Sequence, residues 1–518
     1  RFFCSLCFLK SQYHRVPAKT ITLFVLDFRG GYVIVIPMRL RLHKALRMAV
    51  LACMGTLCGI SGTWQAGAAD LSWSATSGTW AANVWQGSSQ NTQQTNVIFT
   101  GSGSHTVTVS GEVKPQSITI YSGIYVFTPS SDSAIISGKV PLTLREDVSL
   151  TTSVAQEACA VSVGKNSSLT YDIKKGAIIS SLNTASNSTL TFNNSADSSY
   201  SYTINGLAAL KGELVLGENA VVNFHTKNGG AIGDSLTMEE SAELYFSNAS
   251  GSEDVVYSLD GDSSCITGKV YVGNTSASAP LTTLSLTGTV SSGSYHVYTN
   301  GNLELNGTGE FSATVTGNGM LTVAEGAEQT LVLSDGEMIG TRRAWMDGIY
   351  YSAMEVYERV LSSDKSIVIN VEGKATIGTE DFPAYNAFAD DISVGGTLTI
   401  YYRPIYSSVN YLPKYADTAY YISTDTFTLN GGILVLRNSA PMIWNRYDVN
   451  NLIVNEASVL RSQCGNSFAN TDPSVGPTAE VRIAKLTGAG NVLFDGRGQF
   501  AINIFNVLST DDYTGDIT

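Results

Sequence analysis

Charge is scarce in this chain. Only 14% of its 518 residues are Asp, Glu, Lys or Arg, which excludes the long amphipathic helices of an α/β enzyme, whose solvent faces need a steady supply of such residues. Proline is sparse as well, at 12, while glycine reaches 49. Ser, Thr, Asn, Val and Leu fill most of the rest, the composition of an all-β chain with many short strands. Positive charge is thinnest beyond the leader. Residues 1 to 69 hold 9 of the 31 Lys and Arg and 1 of the 44 Asp and Glu, so residues 70 to 518 carry 22 basic against 43 acidic side chains, a net charge of −21. Such a surface repels phosphate backbones and anionic lipid, so no nucleic-acid partner is expected.

Long hydrophobic runs are missing too. "ITLFVLDFRGGYVIVIP" is broken by Asp27, Arg29 and two glycines, and the apolar run Met48 to Ile60 has 13 residues where a spanning helix needs about 20. That second run follows the first methionine, Met38, and a basic stretch with Arg39, Arg41, Lys44 and Arg47; Ala66-Gly67-Ala68 then precede Ala69. Basic start, short apolar core and small-residue cleavage site read as a secretory signal over 38–68, with 1–37 expected to lie upstream of the true start. A lipid anchor at Cys53 or Cys58 does not fit, because Ala52 comes early in the run and Leu57 is too large.

Beyond that leader three cysteines remain, Cys159, Cys265 and Cys464. They allow at most one disulfide, show no CxxC spacing, and are read as small buried hydrophobes. Histidine is as sparse. His105, His225 and His296 are too dispersed for a triad or a metal site and are read as surface residues. The carboxylate groups Glu253-Asp254, Asp260-Gly261-Asp262 and Asp511-Asp512 lack calcium-loop spacing, and Gly317-Asn318-Gly319 lacks the third glycine of a nucleotide loop. No catalytic residue, metal or cofactor is assigned.

What the chain has is a repeat. Leu214, Leu216, Ala220, Val222 and Phe224 fall on Leu236, Met238, Ala242, Leu244 and Phe246 when shifted by 22. The template is apolar-x-apolar, three turn residues, then apolar-x-apolar-x-apolar, each half with the period of a strand buried on one face. It recurs at Leu142, Leu144, Val148, Leu150, Thr152; at Leu303, Leu305, Gly309, Phe311, Ala313; at Leu434, Leu436, Ala440, Met442, Trp444; and, shortened, at Leu452, Val454, Ser458, Leu460. Read as starts 22 residues apart at 214 and 236 and 18 apart at 434 and 452, it predicts a parallel β-helix, or β-solenoid, with coils of about 18–22 residues. One such coil buries too little apolar surface to offset its own ordering, so neighbours must share inward side chains and ladders.

The organisation expected is an N-terminal cap over 69–120, solenoid over 121–333, a Tyr-rich insertion over 334–425 and solenoid again over 426–518. Trp73, Trp80 and Trp85 are read as the cap, the alternative being a glycan-stacking surface. The insertion holds 11 of the 25 tyrosines and "AWMDGIYYSAMEVYERVL", read as a helix. As an aromatic-rich excursion from a regular scaffold it is a candidate ligand site. Gly233-Asp234-Ser235-Leu236 matches the tetrapeptide of a family of serine esterases. Yet Ser235 aligns with Glu213 on the outward row, "FHTKNGGA" precedes it where a buried strand is needed, and the later Asp-x-x-His is absent: Gly293 stands three residues before His296, the one later histidine.

Gly488, Gly490, Gly496 and Gly498, followed by Tyr513-Thr514-Gly515 and Thr518, form two Gly-x-Gly pairs and a Tyr-Thr-Gly-x-x-Thr. Here the sequence resembles the autotransporter-associated β-strand repeat of exported bacterial β-helix passenger domains. The Trp-rich segment running into "VIFTGSGSHTVTVSG" is similar to the start of such proteins. "QFAINIFNVLSTDD" is longer than that family's usual spacer, and the motif stops at its final Thr. The resemblance implies an N-terminal fragment lacking further repeats and a C-terminal translocator, secreted or held at the bacterial outer-membrane surface. It implies a non-catalytic adhesin or stalk for host glycan, mucin or neighbouring cells, with self-association as a further partner. The alternative is a secreted β-helix polysaccharide lyase or hydrolase.

Overall fold

A computed structural model describes residues 7–9, 21–29, 32–40, 70–73, 77–81, 95–195, 200–276, 278–288, 293–332, 334–346, 349–360, 367–378, 391–402, 422–438, 445–464, 478–496, 502–510 and 512–518. The chain divides into two units, Arg1–Ala68 and Ala69–Thr518. In the first, Cys7–Leu9, Ile21–Arg29 and Tyr32–Leu40 form an antiparallel three-stranded sheet. Apart from Met38–Leu40, the leader expected over 38–68 lies outside the described residues.

The second unit is a parallel β-solenoid whose coil has three faces. After a strand on face three, Val221–Thr226, the chain turns onto face one, Gly230–Ile232, then face two, Ser235–Met238, and returns to face three at Glu243–Asn248. Each strand pairs in parallel with its counterpart one coil away. The coil step is 18 residues from Leu303 to Leu321, 22 from Leu214 to Leu236 and 26 from Leu244 to Val270. Face one is unbroken from Asp70–Trp73 to Asp512–Tyr513.

Alternation decides which side chains fill the interior. Ser235–Met238 and Glu243–Asn248 alternate half-buried and buried, with Leu236, Met238, Leu244 and Phe246 at most 1% exposed. Corners need backbone that most residues avoid, and the turns supply it. Asp147, Asn166 and Asn187 between faces one and two, and Asn219 between faces two and three, all have φ of 54–59°, the left-handed region that short polar side chains tolerate.

The template proves to serve two corners. Leu142 and Leu144 lie on face one and lead to Val148–Thr152 on face two, whereas Leu214 and Leu216 lie on face two and lead to Val222 and Phe224 on face three. Leu434 therefore stacks on Leu460, 26 residues on, while Leu452 stacks under Phe427 on another face. The 18-residue interval between 434 and 452 joins two faces and is not a coil. Gly309 points out of the core, and Ala440, Met442 and Trp444 lie outside the described residues.

Two further corrections concern 334–425. "AWMDGIYYSAMEVYERVL" is not helical: Ser334–Met346 pairs antiparallel with Ile349–Val360, Met346 opposite Ile349. The two residues between them in sequence are Asp347-Gly348, a pair favoured in two-residue hairpin loops. Nor is the stretch one insertion. Val368–Val371 and Asp391–Val394 continue face one, and Lys374–Ile377 and Thr397–Tyr402 continue face two. The hairpin Ser334–Val360 leaves after a face-two strand, Glu328–Leu331, where a face-three strand is otherwise due, while residues 379–390 and 403–421, which also follow face-two strands, lie outside the described residues.

Trp73 and Trp80 are buried in the first coils. Trp80 packs edge-on against Phe99 and Phe127, centroids 6.0 and 6.1 Å away, and Trp73 lies 6.0 Å from Phe99. They plug the core and offer no stacking surface; Trp85 lies outside the described residues. Further along, Tyr202, Tyr295 and Tyr447 point inward, and burial raises each phenol well above its ordinary value. The unfolded chain ionises first, at pH about 10. The stabilisation is complete below that pH and is lost above it, by about 1.4 kcal/mol per pH unit for each tyrosine. The denaturation midpoint should fall beyond pH about 10, exposed phenols ionising in the folded chain and a further rise in phenolate absorbance arriving only with unfolding; complete ionisation of the tyrosines before unfolding would contradict burial.

Candidate functional site

Ser235 begins a face-two strand, in register with Glu213 and Asp262 on neighbouring coils, and lies half-buried on the outward row. A strand precedes it and it runs into a strand, so the turn into a helix that exposes an esterase serine is not formed here. His105, expected at the surface, is buried and stacks on Tyr125 at 4.8 Å. In "SHTVTV" it is in phase with Val107 and Val109, so alternation carries it inward. Cys265, expected to be buried, is exposed; the side chains of Cys159 and Cys464 lie outside the described residues. The acidic groups serve corners. Asp254 accepts the Leu281 N–H at 2.8 Å and Asp260 the Thr287 hydroxyl at 2.9 Å, while Asp512 lies 3.5 Å from Lys485. Among the described residues no cluster has the make-up of a metal site.

The structure assembles a different constellation on the outer side of face three. Stacking puts Asn223, Tyr245, Tyr271, His296 and Thr316 in one row across five coils. The rings of Tyr245 and Tyr271 lie 4.3 Å apart and 4° from parallel, and Tyr298 continues the stack 6.3 Å beyond Tyr271. Their faces are thus turned toward one another, and edges and hydroxyls form the rail that meets solvent. Tyr245 donates to Glu243 Oε2 at 2.7 Å and Tyr271 to Oε1 at 3.3 Å. Burial first, then the Glu243 carboxylate, pushes both phenols up, which keeps them protonated and donating. His296 Nδ1 lies 2.9 Å from the Thr316 hydroxyl.

Beside this rail, at the corner between faces three and one, lies an open groove of about 480 Å³. His225, Lys227 and Asn228 line it from one coil, Asn205 and Leu207 from the coil before, and Ala249 from the coil after. Its wall is fixed from inside. The buried Tyr257 hydroxyl accepts the Thr226 N–H at 3.0 Å and meets the Ser247 and Phe224 carbonyl oxygens at 2.8 and 3.1 Å, while the Thr226 hydroxyl donates to the Gly229 carbonyl at 3.2 Å. Gly229 itself has φ of +66°, and a Cβ there would run into the Val256 carbonyl. A second cleft, at the corner between faces two and three, is lined by Glu218, Glu239 and Glu240.

Sequence reasoning passed over rail and groove because Tyr245 stands between Leu244 and Phe246, and Tyr271 between Val270 and Val272. Each looks like one more apolar residue until the strand is phased. Once the template is placed, an aromatic at an out-of-phase position is the usable signal. Tyr401, one of the tyrosines singled out in sequence, lies on face two. There the Arg437 guanidinium donates to its hydroxyl at 2.6 Å and to Gln463 at 2.9 Å.

The class defined by this architecture is the three-faced parallel β-solenoid. Comparison with protein-family profiles, curated proteins and solved structures finds no match. Tyr257→Phe should cost about 1–3 kcal/mol, because the buried polar groups around that hydroxyl lose a shared partner. Ser235→Ala should stay within about 0.5 kcal/mol and leave any ester hydrolysis unchanged. Urea denaturation of both variants checks this, and equal midpoints would contradict the clamp.

Proposed function

We propose that this protein is an exported bacterial surface protein, a β-solenoid passenger that acts without catalysis as an adhesin or stalk, with face three meeting glycan or mucin. The observation that carries this reading is the coincidence on one face of the tyrosine rail, the groove beside it and the departure of the hairpin Ser334–Val360. A rigid scaffold that gathers its aromatic and hydrogen-bonding side chains on one flank suits multivalent contact with a long, flexible polymer. Polar side chains stand in repeated rows there, so many weak contacts add along the coil axis.

The residues behind the autotransporter-repeat resemblance also support the reading, since they behave as a mechanical unit. Tyr513 donates to the Gly490 carbonyl at 2.7 Å, the Thr514 N–H donates to Gly488 at 2.8 Å, and a Cβ on Gly488 would meet the Val454 carbonyl. Tyr-Thr-Gly thus seats on the Gly-x-Gly of the preceding coil, a lock that a stacking passenger repeat would reuse.

The test is binding of the whole chain to glycan and mucin arrays, with reducing-sugar release followed in the same wells. A second protein should have Ser334–Val360 replaced by a short Gly-Ser linker. Saturable binding without sugar release is expected, weakened when the hairpin is removed. Sugar release would overturn the non-catalytic reading, and absence of any binding would overturn the adhesin.

A further inference from the structure

The groove between faces three and one differs chemically from the body that carries it. Residues 70 to 518 have a net charge of −21, yet among the described residues no carboxylate lines this groove, and the ionisable side chains there are Lys227 and His225. Lys227 stands exposed on the turn that follows Val221–Thr226. His225 is oriented from behind. The Ser247 hydroxyl gives its one hydrogen to Asn223 Oδ1 at 3.0 Å, so the 2.9 Å contact between that hydroxyl oxygen and His225 Nδ1 has the imidazole as donor. This fixes the tautomer and leaves Nε2 as the ring's acceptor at the groove wall.

Around these two groups the groove has the composition of a saccharide site. Leu207 and Ala249 supply apolar contact for the C–H face of a pyranose, and the Asn205 and Asn228 amides can donate to and accept from ring hydroxyls. The volume of about 480 Å³ falls within the range of small-ligand sites. Because Tyr257, Thr226 and Gly229 hold the turn from inside, the wall is formed before a ligand arrives, which spares the ordering cost of binding. A cationic, carboxylate-free recess in a strongly acidic body concentrates the local attraction for anions where the rest of the surface repels them.

We propose that this groove binds a carboxylated sugar unit of a larger glycan, the carboxylate on Lys227, hydroxyls on His225 Nε2 and the two asparagine amides, and the apolar sugar face on Leu207. The proposal deepens the adhesin reading and rests on it for the glycan. The carboxylate specificity comes from the groove itself.

The experiment is calorimetric titration of the whole chain with methyl glucuronide, N-acetylneuraminic acid and, as the neutral control, methyl glucoside, repeated on Lys227→Glu. Lys227 is an exposed turn residue, so the variant should fold, and an unchanged circular dichroism spectrum verifies it. At least one acidic sugar should bind saturably, with methyl glucoside roughly tenfold or more weaker and Lys227→Glu weaker by a similar factor, as expected when a charge-assisted contact is removed. Which acidic sugar binds tells the uronic from the sialic class. Equal affinity for neutral and acidic sugars, an unchanged Lys227→Glu, or no saturable binding of either acid would overturn the proposal. Array binding that persists under those results would leave the adhesin reading standing and remove only the groove, so the two failures are separable.

Discussion

The solenoid depends on in-register stacking of inward side chains from one coil to the next. On face one a single column runs Phe99, Ile120, Leu144, Val163, Thr184, Leu210, Ile232, Leu259, Leu286, Leu305, Val323, Val371, Val394, Leu429, Val454. Each member is buried only because the member before and the member after it are present. A slip of one residue would turn the whole inward set to solvent, so the register is specified at every coil. The first described coils fill their core with large side chains, Trp73, Trp80, Phe99 and Phe127.

Stacking also explains the corners and the excursions. Because coils lie one strand spacing apart, a corner residue meets the backbone of a neighbouring coil, and a Cβ on Gly176, Gly317 or Gly488 would strike the Ser201, Val297 or Val454 carbonyl oxygen. Inward tyrosines near the corners take up backbone groups that the turn leaves over, as Tyr202 does with the Ile173 N–H and the Asn193 carbonyl, both at 2.8 Å. With faces one and two carrying the ladder through 368–402, the chain can leave at face three without breaking the column. The hairpin Ser334–Val360 thus leaves at face three, the face that also carries the tyrosine rail.

Much of this was legible in the sequence and some was not. The fold class, a coil step of 22 around Leu214 and Leu236, and the burial of that template follow from a period-two pattern with polar corners, which composition alone nearly enforces. The faces did not follow. A three-faced coil uses similar corners more than once, so the five-position template at Leu142 and at Leu214 looks identical although it bridges different faces, and the 434-to-452 interval looked like a coil. The helix read at 344–361 failed because aromatic and β-branched residues around Asp347-Gly348 favour a hairpin and no local pattern opposed it. His105 shows how a single charge-capable residue misleads when its alternation phase is ignored. The rail and groove escaped because they are made by residues 20 or more apart, whose proximity exists only after coils are stacked.

A solenoid whose coils hold only their neighbours should fail locally when one coil is broken. Hydrogen exchange of the whole chain carrying Leu214→Asp tests this most directly, beside Val215→Asp on the outward row of the same strand. Leu214 lies between Leu190 and Leu236 in the core, so exchange should rise over Thr189–Asn193 and Ser235–Met238 while Asp391–Val394 stays protected, and Val215→Asp should change little. Protection unchanged at 189–193 and 235–238, or lost equally at 391–394, would contradict a solenoid held together by nearest-neighbour stacking.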